Sequence, residues 1–579
     1  MTHFDFHITT PALEFFQTNS KKVSDFVKIN NVIKKTCGIS NFFMNQEEVN
    51  DFSVQINEYN SIVSEPHRRQ YGDYQTNNEL ASDVVKYALK KFGDIEFLLE
   101  PTCGRGNFII AAIEQVTDLK KIIGVEIYLP YIWETKFKIL THYLNNPQKQ
   151  YPEIDIIHQN VFDFPFEEVA QSTKQLKTLV IGNPPWVTNS ELGSIESNNL
   201  PKKSNFKKHS GFDAITGKGN FDIGESISLI MLKCFQKHNG GFAFLIKNSV
   251  IKNLIHDQKV NNFWISNSQK LNIDSKKEFN VSVNASLFIA HLNIVPEYTC
   301  CELDFYNNEF ITKFGWHEDK FVYSIRDYSL SSLIDGKSPF TWRSGVKHDC
   351  SKVMEFESLD THFINGLGEI FDIEEDLVYG LLKSSDLKLK QTKTYRKHTI
   401  ITQRRVGGKT NYIKQQFPLT FKYLESKKDH FDKRKSSIYR DKPEFSIFGI
   451  GNYSFAKYKI AVSGLYKTTH FTLVLPSKSK PIMLDDTCYF IGFEEYKIAQ
   501  IAHFLVNTEL VQKFLKSIIF PDAKRAINKG ILMRIDFEKA YSNSSYQEAQ
   551  RAISNLRIEQ WEEFGKMVQS EKQLQMTLF

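Results

Sequence analysis

Asn183-Pro184-Pro185-Trp186 follows the apolar run Leu179-Val180-Ile181-Gly182, which has the length and composition of a buried strand. The tetrapeptide offers a side-chain amide, carbonyls flanked by ring nitrogens that cannot donate, and a large aromatic face. Such a set can hold a planar amine, with oxygens accepting its N–H groups and the indole covering its ring. In open α/β sheets, ligands bind beyond the carboxyl ends of the strands. A polar group at this position therefore faces chemistry rather than core.

A second constellation lies upstream, in Leu98-Leu99-Glu100-Pro101-Thr102-Cys103-Gly104-Arg105-Gly106-Asn107-Phe108. It reads as a strand, a turn and the start of a helix. Gly104 and Gly106 permit close backbone approach and positive φ, and the helix start offers free N–H groups to a carboxylate. Gly124-Val125-Glu126 then puts an acid at the end of the next strand, where ribose hydroxyls are held. The turn lacks the third glycine of dinucleotide sites. A carboxylate at Glu100 would repel a pyrophosphate and attract a sulfonium or an α-amino group, which favours S-adenosylmethionine over NAD.

These groups need a sheet to position them. Between Glu96 and Val250 short β-rich runs (97–99, 122–125, 154–157, 179–181, 241–246) alternate with helical patterns (108–116, 131–143, 226–237), and a further strand pattern spans 285–292. That alternation predicts a doubly wound, mainly parallel α/β fold. The first 65 residues read as a polar helical lead-in, and a boundary is expected near 320–345. The expected division is thus 1–65, a catalytic domain over 66–335, and an α+β domain over 336–579 ending in a helical stretch. At 579 residues, the chain exceeds one ordinary core. Its 41% hydrophobic and 24% charged residues suit a soluble protein. No apolar run approaches the roughly 18 residues of a membrane span, and the N-terminus carries no secretion pattern. Seven cysteines without ligand-like spacing suggest reduced thiols in a cytoplasm and no structural metal.

Residues 98–108, 124–127 and 183–186 resemble motifs I, II and IV of the gamma-class adenine-N6 DNA methyltransferases, in that order. Arg69-Gln70-Tyr71-Gly72-Asp73-Tyr74-Gln75-Thr76-Asn77 resembles the motif this class carries upstream, with Thr76-Asn77 where the family commonly has Thr-Pro. The resemblance covers about residues 65–295. It implies a Rossmann-like catalytic domain that binds S-adenosylmethionine through Tyr74, Thr76, Glu100, Pro101, Gly104, Gly106, Glu126 and Asn160. Asn160 stands where the family usually has an Asp, and Asp163 is the alternative. Asn183, Pro184, Pro185 and Trp186 would be catalytic. Trp186 and Phe279 would stack on opposite faces of an adenine flipped out of the duplex, because a paired amine cannot reach such a pocket.

The resemblance further implies a C-terminal target-recognition domain, double-stranded DNA as partner, a separate cognate restriction endonuclease, and a bacterial or archaeal cell. A monomer is expected. The net charge of +6 is modest, but basic residues gather with aromatics over 388–467, as suits a polyanion with stackable bases. Lys207 and Lys208, in the long connection after the tetrapeptide, and Arg404, Arg405, Lys409, Lys433, Arg434 and Lys435 are the DNA-contact candidates. Gln403 is a possible base reader, and 342–349 and 448–459 look like binding loops. Other readings fit the same residues: an amino-methyltransferase acting on RNA or cytosine N4, or an idle DNA-binding subunit.

Overall fold

The computed structural model describes residues 8–19, 25–57, 75–187, 222–281, 283–466, 468–523 and 525–577. Two compact units divide the chain, Met1–Phe321 and Val322–Phe579. The division falls within the expected 320–345 window, earlier than the 335/336 bound, with Val322, Tyr328 and Ile334 in the second unit's core.

The first unit opens with helices α1 (Thr10–Thr18), α2 (Phe26–Cys37), α3 (Gln46–Asn57) and α4 (Asn78–Phe92). Alternation then begins with β1 (Phe97–Glu100), α5 (Asn107–Gln115), β2 (Lys121–Glu126), α6 (Leu129–Asn145), β3 (Glu153–His158), α7 (Phe166–Ser172) and β4 (Thr178–Gly182). It continues through α8 (Ile223–Phe235), β5 (Gly240–Lys247), α9 (Asn248–Asn261), β6 (Ile265–Asn272), α10 (Ser275–Phe279), β7 (Ala285–Leu292), β8 (Thr299–Asp304), β9 (Phe310–His317) and β10 (Lys320–Val322). These strands form one ten-stranded sheet in the order β10-β9-β8-β6-β7-β5-β4-β1-β2-β3.

Strands β1 to β5 pair in parallel, and β7 runs antiparallel between β5 and β6. The central strands β1 and β4 are buried along their whole length, the expected consequence of covering a parallel sheet on both faces. From β1 the chain winds outward through β2 to β3, then returns to place β4 on β1's other side, with Leu99 opposite Val180. The strand order therefore reverses between β1 and β4. That reversal opens a crevice at their carboxyl ends, which is where Glu100-Pro101 and Asn183 emerge.

The N-terminal helices are not the polar lead-in expected from composition. Phe16, Phe42, Phe43 and Phe52 are buried and form a continuous ring cluster with Trp133 and Phe137 of α6. Lys136, fully buried, donates to the Asn41 and Phe42 carbonyls at 3.0 and 2.7 Å. Burial drops its ammonium to a pKa of about 8. The polar residues that dominate the composition occupy the outer helical faces, while a narrow apolar stripe completes the core.

The second unit holds a five-stranded and a six-stranded sheet. Helices Tyr496–Val506, Glu509–Ile518, Phe537–Ser542 and Ile558–Thr577 accompany them. The fold is thus a Rossmann-like α/β unit with a separate α+β unit after it. Among the described residues, no helix is long and apolar enough to cross a membrane.

Candidate active site

The turn after β1 is shaped by contacts from three directions. Gly104 and Gly106 have φ of +50° and +71°. A Cβ on Gly104 would lie 2.7 Å from Gln75 Oε1, and one on Gly106 would lie 2.5 Å from Thr135 Cγ2. Conformation favours glycine at both positions, and at Gly106 the branched Thr135 side chain also leaves no room for a Cβ. Thr135 donates its hydroxyl to the Gly104 carbonyl at 3.0 Å. Arg105 N–H donates to Gln75 Oε1 at 3.2 Å.

Glu126 ends β2 and grips this turn. One carboxylate oxygen accepts the Gly104 N–H at 2.9 Å, and the other accepts those of Ile127 and Tyr128 at 2.9 and 2.8 Å. Beside Glu126, Glu100 is 2% exposed. Burial, and secondarily the Glu126 charge, push its carboxyl well above the ordinary range, while the Ile109 N–H in the first turn of α5 pulls it back. Its Oε2 is buried with no hydrogen-bond partner. An acceptor left in that state fits a cationic or N–H-bearing ligand.

The crevice's other wall carries the tetrapeptide. Asn183 donates through Nδ2 to Thr76 Oγ1 at 3.2 Å. An amide held by its N–H end presents a carbonyl, the acceptor an amine requires, as its other end. Thr76 is itself held, its carbonyl accepting from Asn107 Nδ2 at 2.6 Å. Asn77, which replaces the family's proline, caps α4 by accepting the Leu80 N–H at 2.8 Å. Gln75-Thr76-Asn77 thereby bridges the turn after β1 and the tetrapeptide. Pro184 packs near the start of α8, with a Cβ on Gly224 falling 3.6 Å from its ring. The chain leaving the tetrapeptide is pinned where Ile223 N–H meets the Val187 carbonyl at 3.0 Å. Nearby, Lys247 at the end of β5 pairs with Asp222 at 2.7 Å.

Trp186 is 4% exposed and donates Nε1–H to the Leu245 carbonyl at 3.2 Å. Its ring meets Phe279 edge-on, with centroids 4.8 Å apart and planes at 70°. Sequence alone put these rings on opposite faces of a base, but they touch each other. Admitting a base between them requires parallel planes roughly 7 Å apart, two van der Waals contacts, so the rings must part first. Asn160 lies just beyond β3, with Oδ1 accepting the Phe162 N–H at 3.0 Å, and Asp163 is exposed. Tyr74, Lys207 and Lys208 fall outside the described residues.

Within the second unit the basic candidates separate. Arg404, Arg405, Lys409, Lys433 and Lys435 are exposed, with Arg404 resting 4.5 Å over the Phe455 ring. Arg434 points inward: its guanidinium donates to the Phe431, His348 and Ser446 carbonyls and lies 3.7 Å over Tyr439. Gln403 is buried and donates to the Arg405 and Ile447 carbonyls. Trp342, in a segment that reads as a binding loop, is fully buried against Phe471. Lys459 is buried too and donates to the Ala456 and Ile482 carbonyls. These four residues support the fold rather than a surface.

Sequence reasoning placed Gln75 and Asn107 in its motifs without giving their side chains a role, and missed Thr135 and Asp222. Asp222 had a local signal, an Asp with Glu225 three positions later ahead of an apolar run; the others are linked only by long-range contacts.

Glu100 gives a measurable pH dependence. If a cation binds beside it, the carboxyl ionises and releases its proton. Affinity should then rise with pH, by at most about tenfold per unit, between the bound and free pKa values. S-adenosylmethionine titrated calorimetrically from mildly acidic to mildly basic pH should show this slope for the wild type and a flat profile for Glu100→Gln. A slope retained by the variant would place the proton elsewhere.

No family model matches the chain. It is 40% identical over 477 residues to the type II methyltransferase M.NspV of Nostoc sp. (strain ATCC 29411 / PCC 7524), covering 81% of this chain and 96% of that relative. Among solved structures it is similar to the type IIL restriction-modification enzyme MmeI in complex with DNA, at TM-score 0.48 and 10% identity over 85% of this chain and 71% of that one. It is also similar to the type IIG restriction endonuclease BpuSI, at TM-score 0.36 and 11% identity over 98% and 75%. Neither structural likeness is close enough to bear on function. The identity to M.NspV, sustained along nearly all of that relative, is decisive: the chain belongs to the type II methyltransferases.

Proposed function

We propose that this methyltransferase modifies adenine N6 at a specific site in double-stranded DNA, acting as a cytoplasmic monomer beside a separate restriction endonuclease in a bacterial or archaeal cell. The observation that carries the reading is Asn183 at the end of β4, amide nitrogen on Thr76, across the strand-order reversal from the buried, unpartnered Glu100 Oε2. S-adenosylmethionine supplies an electrophilic methyl group. Glu100 holds the cofactor's cationic portion, Gly104 and Gly106 let the backbone approach it, Glu126 takes its ribose hydroxyls, and Asn160 its adenine. Tyr74 and Thr76 cover its methionine end, and Pro101 sets the turn.

An adenine amine is a poor nucleophile because its lone pair is delocalised into the ring. With Asn183 Oδ1 and the Pro184 carbonyl accepting its two hydrogens, the nitrogen is drawn toward pyramidal geometry and the lone pair becomes available. Pro185 fixes the chain so that Trp186 covers one face of the flipped base, and Phe279 covers the other once the rings part. Positioning to a near-attack distance of roughly 3 Å supplies much of the rate gain.

The second unit would grip DNA through its exposed cations Arg404, Arg405, Lys409, Lys433 and Lys435. Arg434 does not belong in that test, because removing its side chain strands the His348 and Ser446 carbonyls. Lys433→Ala with Lys435→Ala should reduce the salt slope of DNA binding by roughly 2 if each meets one phosphate. An unchanged slope would reject this surface. The function itself is tested by single-molecule sequencing of genomic DNA from a methylation-free host expressing the chain. N6-methyladenine at one recurring motif is the expected result, and its absence sends the reading to RNA, to cytosine N4 or to an idle subunit.

A further inference from the structure

Helix α10 carries Phe279 and is held by a small polar frame. Asp274 caps it, accepting the Lys276 and Lys277 N–H groups at 3.0 Å. Asp274 N–H donates to the Tyr306 hydroxyl oxygen at 3.2 Å, and that hydroxyl donates to Glu278 Oε1 at 3.0 Å. The other oxygen of Glu278 accepts from Asn77 Nδ2 at 3.1 Å. Its side chain is 9% exposed, with Lys277 3.4 Å away.

We propose that Glu278 is a positioning residue that couples cofactor binding to capture of the target base. The inference rests on the function proposed above. Asn77 adjoins Thr76, which holds Asn183, and Gln75, which holds the Arg105 backbone. A ligand seated in the turn after β1 orders residues 75–77 through those bonds. On the opposite side, Phe279 is next to Glu278 in a one-turn helix and must part from Trp186 before a base enters. Displacing α10 pulls on the Glu278–Asn77 bond, so the position of each side biases the other. The link spans 201 positions in sequence and joins the segment 75–77 directly to α10. A Thr-Pro at 76–77 could not make it, since proline has no side-chain donor.

The test exchanges donor and acceptor. Asn77→Asp keeps the oxygen that caps α4 and removes the N–H group that reaches Glu278. Adding Glu278→Gln restores a bond in reverse, Gln Nε2 donating to Asp while Gln Oε1 still accepts from Tyr306. The readout is the ratio of S-adenosylhomocysteine dissociation constants without and with duplex DNA. The duplex bears the mapped motif or, if no N6-methyladenine is found, is sheared DNA from the methylation-free host. The wild type is expected to show a ratio of about ten, within the usual range of coupling between sites. Asn77→Asp should bring it near one, and the double variant should recover most of it, with thermal melting confirming that both are folded. A wild-type ratio near one, an undiminished ratio in Asn77→Asp, or no recovery in a folded double variant would each overturn the coupling. Loss of the methyl mark from wild type, with the ratio and its swap behaviour intact, would defeat only the adenine reading.

Discussion

Asn183→Ala is expected to lower methyl transfer by at least about 10³-fold while leaving cofactor affinity within about threefold of wild type. Removing one preorganised polar group that acts on the transition state costs roughly 10²–10³ in kcat, and here the same side chain also orients the amine. The truncation is structurally mild. Asn183 follows β4 and donates to Thr76, whose carbonyl remains held by Asn107. The turn that would seat the cofactor is fixed by Glu126, Thr135 and Gln75. Single-turnover transfer of labelled methyl, with calorimetric titration of the cofactor, separates the two quantities. Transfer at the wild-type rate would rule out the amide as the group that prepares the nucleophile.

Glu126→Ala should act on the other wall, weakening cofactor binding by at least about a hundredfold and lowering stability by about 3 kcal/mol. The carboxylate holds the N–H groups of Gly104, Ile127 and Tyr128, which ties the turn after β1 to the end of β2. Alanine leaves three backbone donors to find other partners and releases the Gly104 N–H from the end of β2. Glu126→Gln keeps an acceptor and should retain more stability than affinity. Urea unfolding beside cofactor titration gives both numbers. If stability is unchanged in the alanine variant, the turn is held without Glu126, by Thr135, Gln75, Lys138 and the Cys103–Val125 backbone bond, and Glu126 serves only the ligand.

Much of the first unit was legible because its central parallel strands β1, β4 and β5 are buried on both faces and written as apolar runs, while β3 and β7 stay mainly apolar around Asp155, Ser286 and His291. The runs at 97–99, 122–125, 154–157, 179–181, 241–246 and 285–292 coincide with β1 to β5 and β7. Strand β6, Ile265–Asn272, escaped because it presents Ser266, Ser268 and Lys270 to the interior. The last is paired with buried Glu302 at 3.0 Å. A cation written into a strand looks like a loop until its partner, on a strand not yet placed, is known. The N-terminal helices were misjudged for a related reason, since their apolar stripe is narrow and its partners lie in α6.

What the sequence determined by itself is everything that lies within one strand end and its following turn. Asn183 after β4, Gly104 and Gly106 after β1, and Glu126 closing β2 are contiguous units, and short-range geometry forces their placement. Tertiary structure alone decided which of these units meet and which cations face outward. Thr76 reaches Asn183 across 107 positions, and Phe279 closes on Trp186 rather than standing a base's thickness away. Arg434 and Lys459 turn inward while Lys433 and Lys435 stay in solvent. The physical reason is that a long cationic side chain goes where backbone carbonyls are left without partners. Those carbonyls are fixed by the packing of distant segments, which no local composition encodes.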